Sequence, residues 1–137
     1  MADPEGSVFG DYHRTSDASV TGPDSKIEGI GRPRVEASFI RTLVDRMMTI
    51  NNVDSVAAMQ VLSGLLGRKV GPSTGTNFVG MLTLACEMRA RGEQGAILSL
   101  LCDAGERYLG SYHDPVWVNQ HIGDCAGALA ELRARLS

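Results

Sequence analysis

The segment Gly71-Pro72-Ser73-Thr74-Gly75-Thr76-Asn77 places two adjacent hydroxyl side chains where a long amphipathic stretch begins. A helix that starts there leaves backbone N–H groups free, and a hydroxyl beside them can share a neutral hydrogen bond with a polar ligand. Gly71 and Gly75 would let the chain turn sharply and let a ligand come close. Ser73 or Thr74 has another use, capping the helix, worth about 1 kcal/mol. Two more glycine-marked segments accompany this one, Ile27-Glu28-Gly29-Ile30-Gly31-Arg32-Pro33-Arg34 upstream and Cys102-Asp103-Ala104-Gly105-Glu106-Arg107-Tyr108 downstream. Asp103 directly follows an apolar run; it either faces a ligand or caps the turn at Gly105-Glu106. Glu106 and Arg107 read as a solvated or locally paired couple, and Tyr108 as a packed ring with a bonded hydroxyl.

The elements that would position these motifs follow from periodicity. Residues 1–34 are rich in Gly, Ser, Asp and Thr and lack a clear period, an irregular lead that contains the upstream glycine loop. From residue 35 to 137 the pattern is orderly. Ile40, Leu43 and Val44 indicate a short helical turn, and Met47-Met48-Thr49-Ile50 a strand. Asp54 is placed to cap a helix carrying Val56, Met59, Leu62 and Leu66, closed by Gly67. Arg68 to Val70 read as a very short strand. Phe78, Met81, Leu82, Ala85 and Met88 fall at helical spacing up to Gly92. Ala96 to Leu101 form a nearly continuous apolar run, the pattern of a strand covered on both faces. A last helix from about Ile122 carries Cys125, Leu129, Leu132 and Leu136. Strand and helix alternate, which implies an α/β fold with a mostly parallel sheet. The loops after Val70 and after Leu101 then share one rim, beyond the carboxyl ends of the strands, where such sheets bind ligands.

Composition narrows the function. A chain of 137 residues, 43% hydrophobic and 21% charged, is an ordinary globule of one domain or part of a larger one. Its net charge of −3 with scattered basic residues gives no footprint for nucleic acid. No apolar run nears the roughly 18 residues of a membrane span, and Met1 to Gly6 do not form a secretory signal. Cys86, Cys102 and Cys125 are too few and too far apart for a disulfide framework or a zinc site; they read as buried free thiols in a reducing, cytoplasmic setting. His13, His113 and His121 show no ligand spacing. Trp117 reads as a packing or subunit-contact anchor. No GxxxxGK[ST], GxSxG or HExxH motif occurs, which argues against nucleotide hydrolysis, serine hydrolysis and zinc proteolysis.

Taken in order, Ile-Glu-Gly-Ile-Gly, Gly-Pro-Ser-Thr-Gly-Thr and Leu-Cys-Asp-Ala-Gly-Glu-Arg-Tyr resemble the C-terminal part of the cysteine synthase family. These are pyridoxal-phosphate enzymes of fold type II, which include cystathionine β-synthase. Ile27 to Val35 together with Ser73 to Asn77 look most like the L-cysteine desulfhydrases, and the resemblance runs from about Asp3 to Trp117. It implies a partial three-layer sandwich and a β-elimination or β-replacement on cysteine or an activated serine. It also implies that the Ser73 hydroxyl faces the cofactor's pyridine nitrogen, where a neutral group leaves the ring a weaker electron sink. Gly29 matches a glycine whose backbone lies against the cofactor, Asp103 a residue near the pyridine edge. Glu28 takes a substrate-side position that is glutamine in many synthases.

The departure from the family pattern is as informative. The Schiff-base lysine and the phosphate-holding Gly/Thr loop belong to the family's N-terminal portion, and neither Lys26 nor Lys69 stands at that lysine's position. Met1 to Gly6 resemble the family as a central strand ends, so the chain is expected to begin mid-fold. No catalytic residue is therefore assigned. The expectation is a C-terminal segment inactive alone, needing an N-terminal half or a homo-oligomer partner, with pyridoxal phosphate bound in the complete enzyme. Two alternatives stand beside it: a partner-binding or regulatory remnant of the fold, and a small anion-binding domain built on Ser73 to Asn77.

Overall fold

The computed structural model describes residues 1–136. Its sheet has two short parallel strands, β1 (Ala2–Pro4) and β2 (Met48–Ile50), with Ala2, Asp3 and Pro4 opposite Met48, Thr49 and Ile50. Between them lies α1 (Phe9–Thr15). After β2 come α2 (Asn52–Leu66), α3 (Pro72–Ala90), α4 (Pro115–His121) and α5 (Ala126–Leu136). One-turn 3₁₀ helices occupy Arg41–Leu43 and Gly105–Tyr108. The α/β class and the parallel pairing agree with the sequence; the number of strands does not.

Helix α2 starts two residues earlier than Asp54. Asn51 is its N-cap, accepting the Asp54 N–H at 2.7 Å while its amide donates to the Asp54 carboxylate at 2.7 Å. Gly67 closes the helix in the left-handed conformation, φ +63°. Helix α3 starts at Pro72, with Gly71 as N-cap and proline at the first helical position, so the seven-residue motif is the N-cap and the opening turns of the helix itself. In the lead, β1 pairs with the distant β2 and the Gly10 N–H of α1 reaches back to the Asp3 carboxylate at 3.3 Å, order that local periodicity could not show.

The two remaining expected strands are corrected. Val70 makes only an isolated antiparallel bridge with Ala104. Ala96 to Leu101 run without a strand partner, and Leu98 is 95% exposed. A covered strand needs hydrogen-bonded neighbours on both edges, and among the described residues none lies beside this run. A helix unanticipated from sequence, α4, follows the pair Asp114-Pro115, where the aspartate side chain caps the Val116 N–H at 2.9 Å.

The core is the α2–α3 contact. Val56, Ala57, Ala58 and Met59 are fully buried, and burying one of the larger of these side chains contributes about 1.5–3 kcal/mol. Gly75 makes the approach possible: a Cβ there would lie 1.9 Å from the Ser55 carbonyl oxygen and 2.8 Å from the Met59 nitrogen. Beside it, the Thr76 hydroxyl donates to the Ser55 hydroxyl at 2.8 Å, fully enclosed. Helix α5 closes the other side of α2 through Leu132. No helix among the described residues is long and apolar enough to cross a membrane.

Candidate active site

Three hydroxyls stand at the start of α3, at its second, third and fifth residues, and the fold uses two. Thr74 Oγ1 accepts the Cys102 N–H at 3.0 Å, tying α3 to the chain after the exposed leucines. Thr76 bonds Ser55. Ser73 is 4% exposed, yet its hydroxyl has no hydrogen-bond partner among the described residues. The hydroxyl oxygen itself is not fully enclosed: among the described residues the fully buried, unpartnered side-chain atom is Asn52 Oδ1, so Ser73 Oγ stays open to a ligand or to water. It sits at the second position of a 19-residue helix whose N-terminus presents partial positive charge.

Asp103 is brought directly against this helix start. Its carbonyl accepts the Gly71 N–H at 3.0 Å. Its carboxylate does not cap the Gly105 turn, whose first residue has no side-chain cap. The carboxylate accepts instead from the Tyr108 phenol at 2.7 Å and lies 3.8 Å from the Arg107 guanidinium. Burial, and then the bond to Asp103, push the Tyr108 pKa up, so this phenol stays a donor. Its ring packs as the sequence indicated, but Arg107 is no local partner of Glu106. Arg107 reaches across the fold to Glu28, donating at 2.9 Å to a carboxylate 79 positions away, and stacks over the Tyr108 ring at 5.2 Å.

Glu28 and Gly29 are exposed on the upstream turn. Gly29 has φ +89°, and nothing lies within 4 Å of where its Cβ would be, so its backbone is open on that side. Gly31, φ +75°, has no such room: a Cβ would meet Ser25 at 2.7 Å and Pro4, the end of β1, at 2.8 Å. The turn is thereby seated at the carboxyl end of a strand. Glu28, Arg107 and Asp103 form one chain of contacts, and Gly71 joins it to the helix bearing Ser73. The structure brings the glycine-marked segments together.

Sequence reasoning missed Tyr112. Its phenol donates to the Lys26 carbonyl at 2.7 Å and accepts the Glu28 N–H at 3.1 Å. No spacing rule signals such a contact, because its partners are backbone groups more than 80 residues away. Trp117 lies tilted against Tyr112 at 4.9 Å and stacks on His121 at 4.4 Å. Each histidine ring pairs with a backbone carbonyl: His13 with Val44, His113 with Val70, His121 with Trp117. Cys125 is buried, but Cys86 and Cys102 are exposed, the latter because the run before it is uncovered. Lys69 lines a cleft with Arg68 and His113, and Lys26 is exposed at the head of the glycine turn. No grouping of three or more metal-ligating side chains occurs among the described residues.

The donor set suits a cofactor with a neutral aromatic nitrogen. An unpartnered hydroxyl can bond a ring nitrogen without fixing a full charge, and nothing lies within 4 Å of the Cβ position at Gly29. No residue at the site matches a covalent anchor.

No family model matches the chain. It is 44% identical over 133 residues to the L-cysteine desulfhydrase Cds1 of Mycobacterium tuberculosis, a match covering 96% of this chain and 36% of that protein. It is 28% identical over 134 residues to cysteine synthase 1 of Neurospora crassa, covering 96% of this chain and 34% of that one. Its fold superimposes on cysteine synthase from Entamoeba histolytica with a TM-score of 0.67 at 22% identity, covering 98% of this chain and 35% of the other. The chain spans about a third of the length of these proteins. By sequence along nearly all its residues, and by fold, this chain is a relative of the cysteine synthase and cysteine desulfhydrase group of fold type II pyridoxal-phosphate enzymes, corresponding to a portion of such an enzyme.

Proposed function

We propose that this chain forms the ring-facing wall of a pyridoxal-phosphate site in a cysteine-metabolising lyase or synthase, corresponding to its C-terminal part. The single observation that carries the reading is the Ser73 hydroxyl, on a largely buried residue yet unpartnered at the start of α3. Pyridoxal phosphate, when bound, supplies an electron-accepting ring conjugated to the amino-acid substrate. Ser73 would share a hydrogen bond with the ring nitrogen. Asp103, fixed by Tyr108 and Arg107, would border the ring edge, and the open Gly29 backbone would lie along it. Glu28, held by Arg107, would stand on the substrate side.

The substrate class is cysteine or an activated serine, undergoing β-elimination or β-replacement. The 44% identity to a desulfhydrase, against 28% to a synthase, favours elimination from L-cysteine. The lysine and the phosphate-holding loop must come from outside these residues, so this chain by itself is inactive. Its three unpaired cysteines suit a reducing, cytoplasmic compartment. The test combines the chain with the lysine-bearing portion of a desulfhydrase relative and pyridoxal phosphate, and follows the yellow absorbance and sulfide release from cysteine. Both should appear, and Ser73→Ala should keep the association while losing most of the sulfide release.

A second reading, a partner-binding remnant of the fold without chemistry, draws on the exposed Leu98, Leu100 and Leu101. Association without absorbance or sulfide would favour it.

A further inference from the structure

We infer that Tyr112 is the positioning residue of the glycine turn 26–31, holding the Glu28-Gly29 backbone against the face that carries Asp103 and Ser73. The inference deepens the cofactor reading above and rests on it. The turn has little to define its own shape. Two of its residues are glycines with positive φ, and its internal backbone bond, from the Ile30 N–H to the Ile27 carbonyl, is long at 3.4 Å. Tyr112 supplies what is lacking. One phenol oxygen grips the chain on both sides of Ile27, as donor to Lys26 and acceptor from Glu28, and Ile27 itself is 1% exposed.

The grip is rigid because the ring is. Tyr112 is buried, edge-on to Tyr108 at 5.5 Å and tilted against Trp117 at 4.9 Å. The neighbouring Tyr108 holds the Asp103 carboxylate by the same kind of bond. Two adjacent tyrosines therefore set the spacing between the acidic group at the start of α3 and the open backbone of Gly29. Arg107 closes the outer side of this frame through Glu28 and Asp103, but it is exposed and its pairs are screened. The enclosed phenol is the member that solvent cannot replace. Burial also raises its pKa, so it keeps its proton throughout the neutral range.

The test has two arms, the first on the 137-residue chain by itself. The first needs no variant: in native-state hydrogen exchange the Glu28 amide should be protected while that of Gly29 is not, and equal, fast exchange at both overturns the inference. Tyr112→Phe, which keeps the ring, should then speed Glu28 exchange by about five-fold to a hundred-fold, the effect of removing the acceptor of a part-buried N–H. Amides in the middle of α2 should change less than this. Tyr12→Phe, outside the cluster, is the control and should leave Glu28 unchanged.

The second arm titrates pyridoxal phosphate against the chain complemented by the lysine-bearing portion of a desulfhydrase relative, comparing wild type, Tyr112→Phe and Ser73→Ala by their amide shifts at Ser73 and Gly29. Tyr112→Phe should weaken binding about ten-fold and erase the Gly29 response while that at Ser73 persists. Unchanged affinity with an intact Gly29 response overturns Tyr112 alone. No response at Ser73 in wild type sinks the cofactor reading, and with it any role of Tyr112 toward a ligand.

Discussion

The three hydroxyls at the start of α3 should separate cleanly when each is removed. Ser73→Ala deletes a group with no protein partner and puts a better helix former in its place, so stability should hold or rise by up to about 0.5 kcal/mol. Thr76→Val keeps the shape but withdraws a donor from the enclosed Ser55 hydroxyl. Ser55 still donates to the Asn51 carbonyl at 3.0 Å, which confines the damage to an unfilled lone pair, costing about 1–2 kcal/mol. Thr74→Val strands the Cys102 N–H, but Cys102 is exposed and water compensates, so the cost is about 0.5–1.5 kcal/mol. Urea unfolding resolves these differences when the slope stays constant between variants. In the complemented enzyme the order inverts, with Ser73→Ala the most damaging of the three. A loss of more than about 1 kcal/mol from Ser73→Ala in the isolated chain would show that the hydroxyl serves the fold, and would refute the reasoning.

Gly75→Ala should cost about 3 kcal/mol or more, seen as a lowered urea midpoint, because its new Cβ meets the Ser55 backbone and the helices must part. Leu98→Ser should change stability by less than about 0.5 kcal/mol, since that side chain is almost fully exposed; a larger loss would mean the segment is packed. His113 has a pKa lowered chiefly by burial, so the folded state prefers the neutral ring. The unfolded chain binds more protons below its ordinary value of 6.5, and stability should be full above that pH and fall as acid carries it through the depressed folded value. Urea midpoints taken between pH 8 and pH 5 should drop, and His113→Gln should flatten the drop.

What could be read from the chain was local. The stop at Gly67, the helix following Gly71 and the strand ending at Ile50 carry their signals within a few residues. Tyr112 and Arg107 escaped because their partners lie some 80 positions away, and neither hydrophobic period nor turn chemistry encodes that. Ala96 to Leu101 misled in the opposite way. Its pattern describes a strand with neighbours, and the described residues provide none. Asp114-Pro115 is a cap followed by a first-position proline, a local helix signal, but the seven residues after the cap are too few to carry a hydrophobic period. Ser73 and Thr74 could not be told apart by sequence, since both stand where a cap or a ligand contact would. Only the geometry separates them, by showing which hydroxyl the fold already uses.

The contact at Gly75 reaches beyond packing. Two helices touching backbone to backbone have no soft side chain between them to yield, so the turn carrying Ser73 cannot drift when a guest arrives or leaves. Recognition at that hydroxyl would start from a wall already in place, with little ordering entropy left to lose.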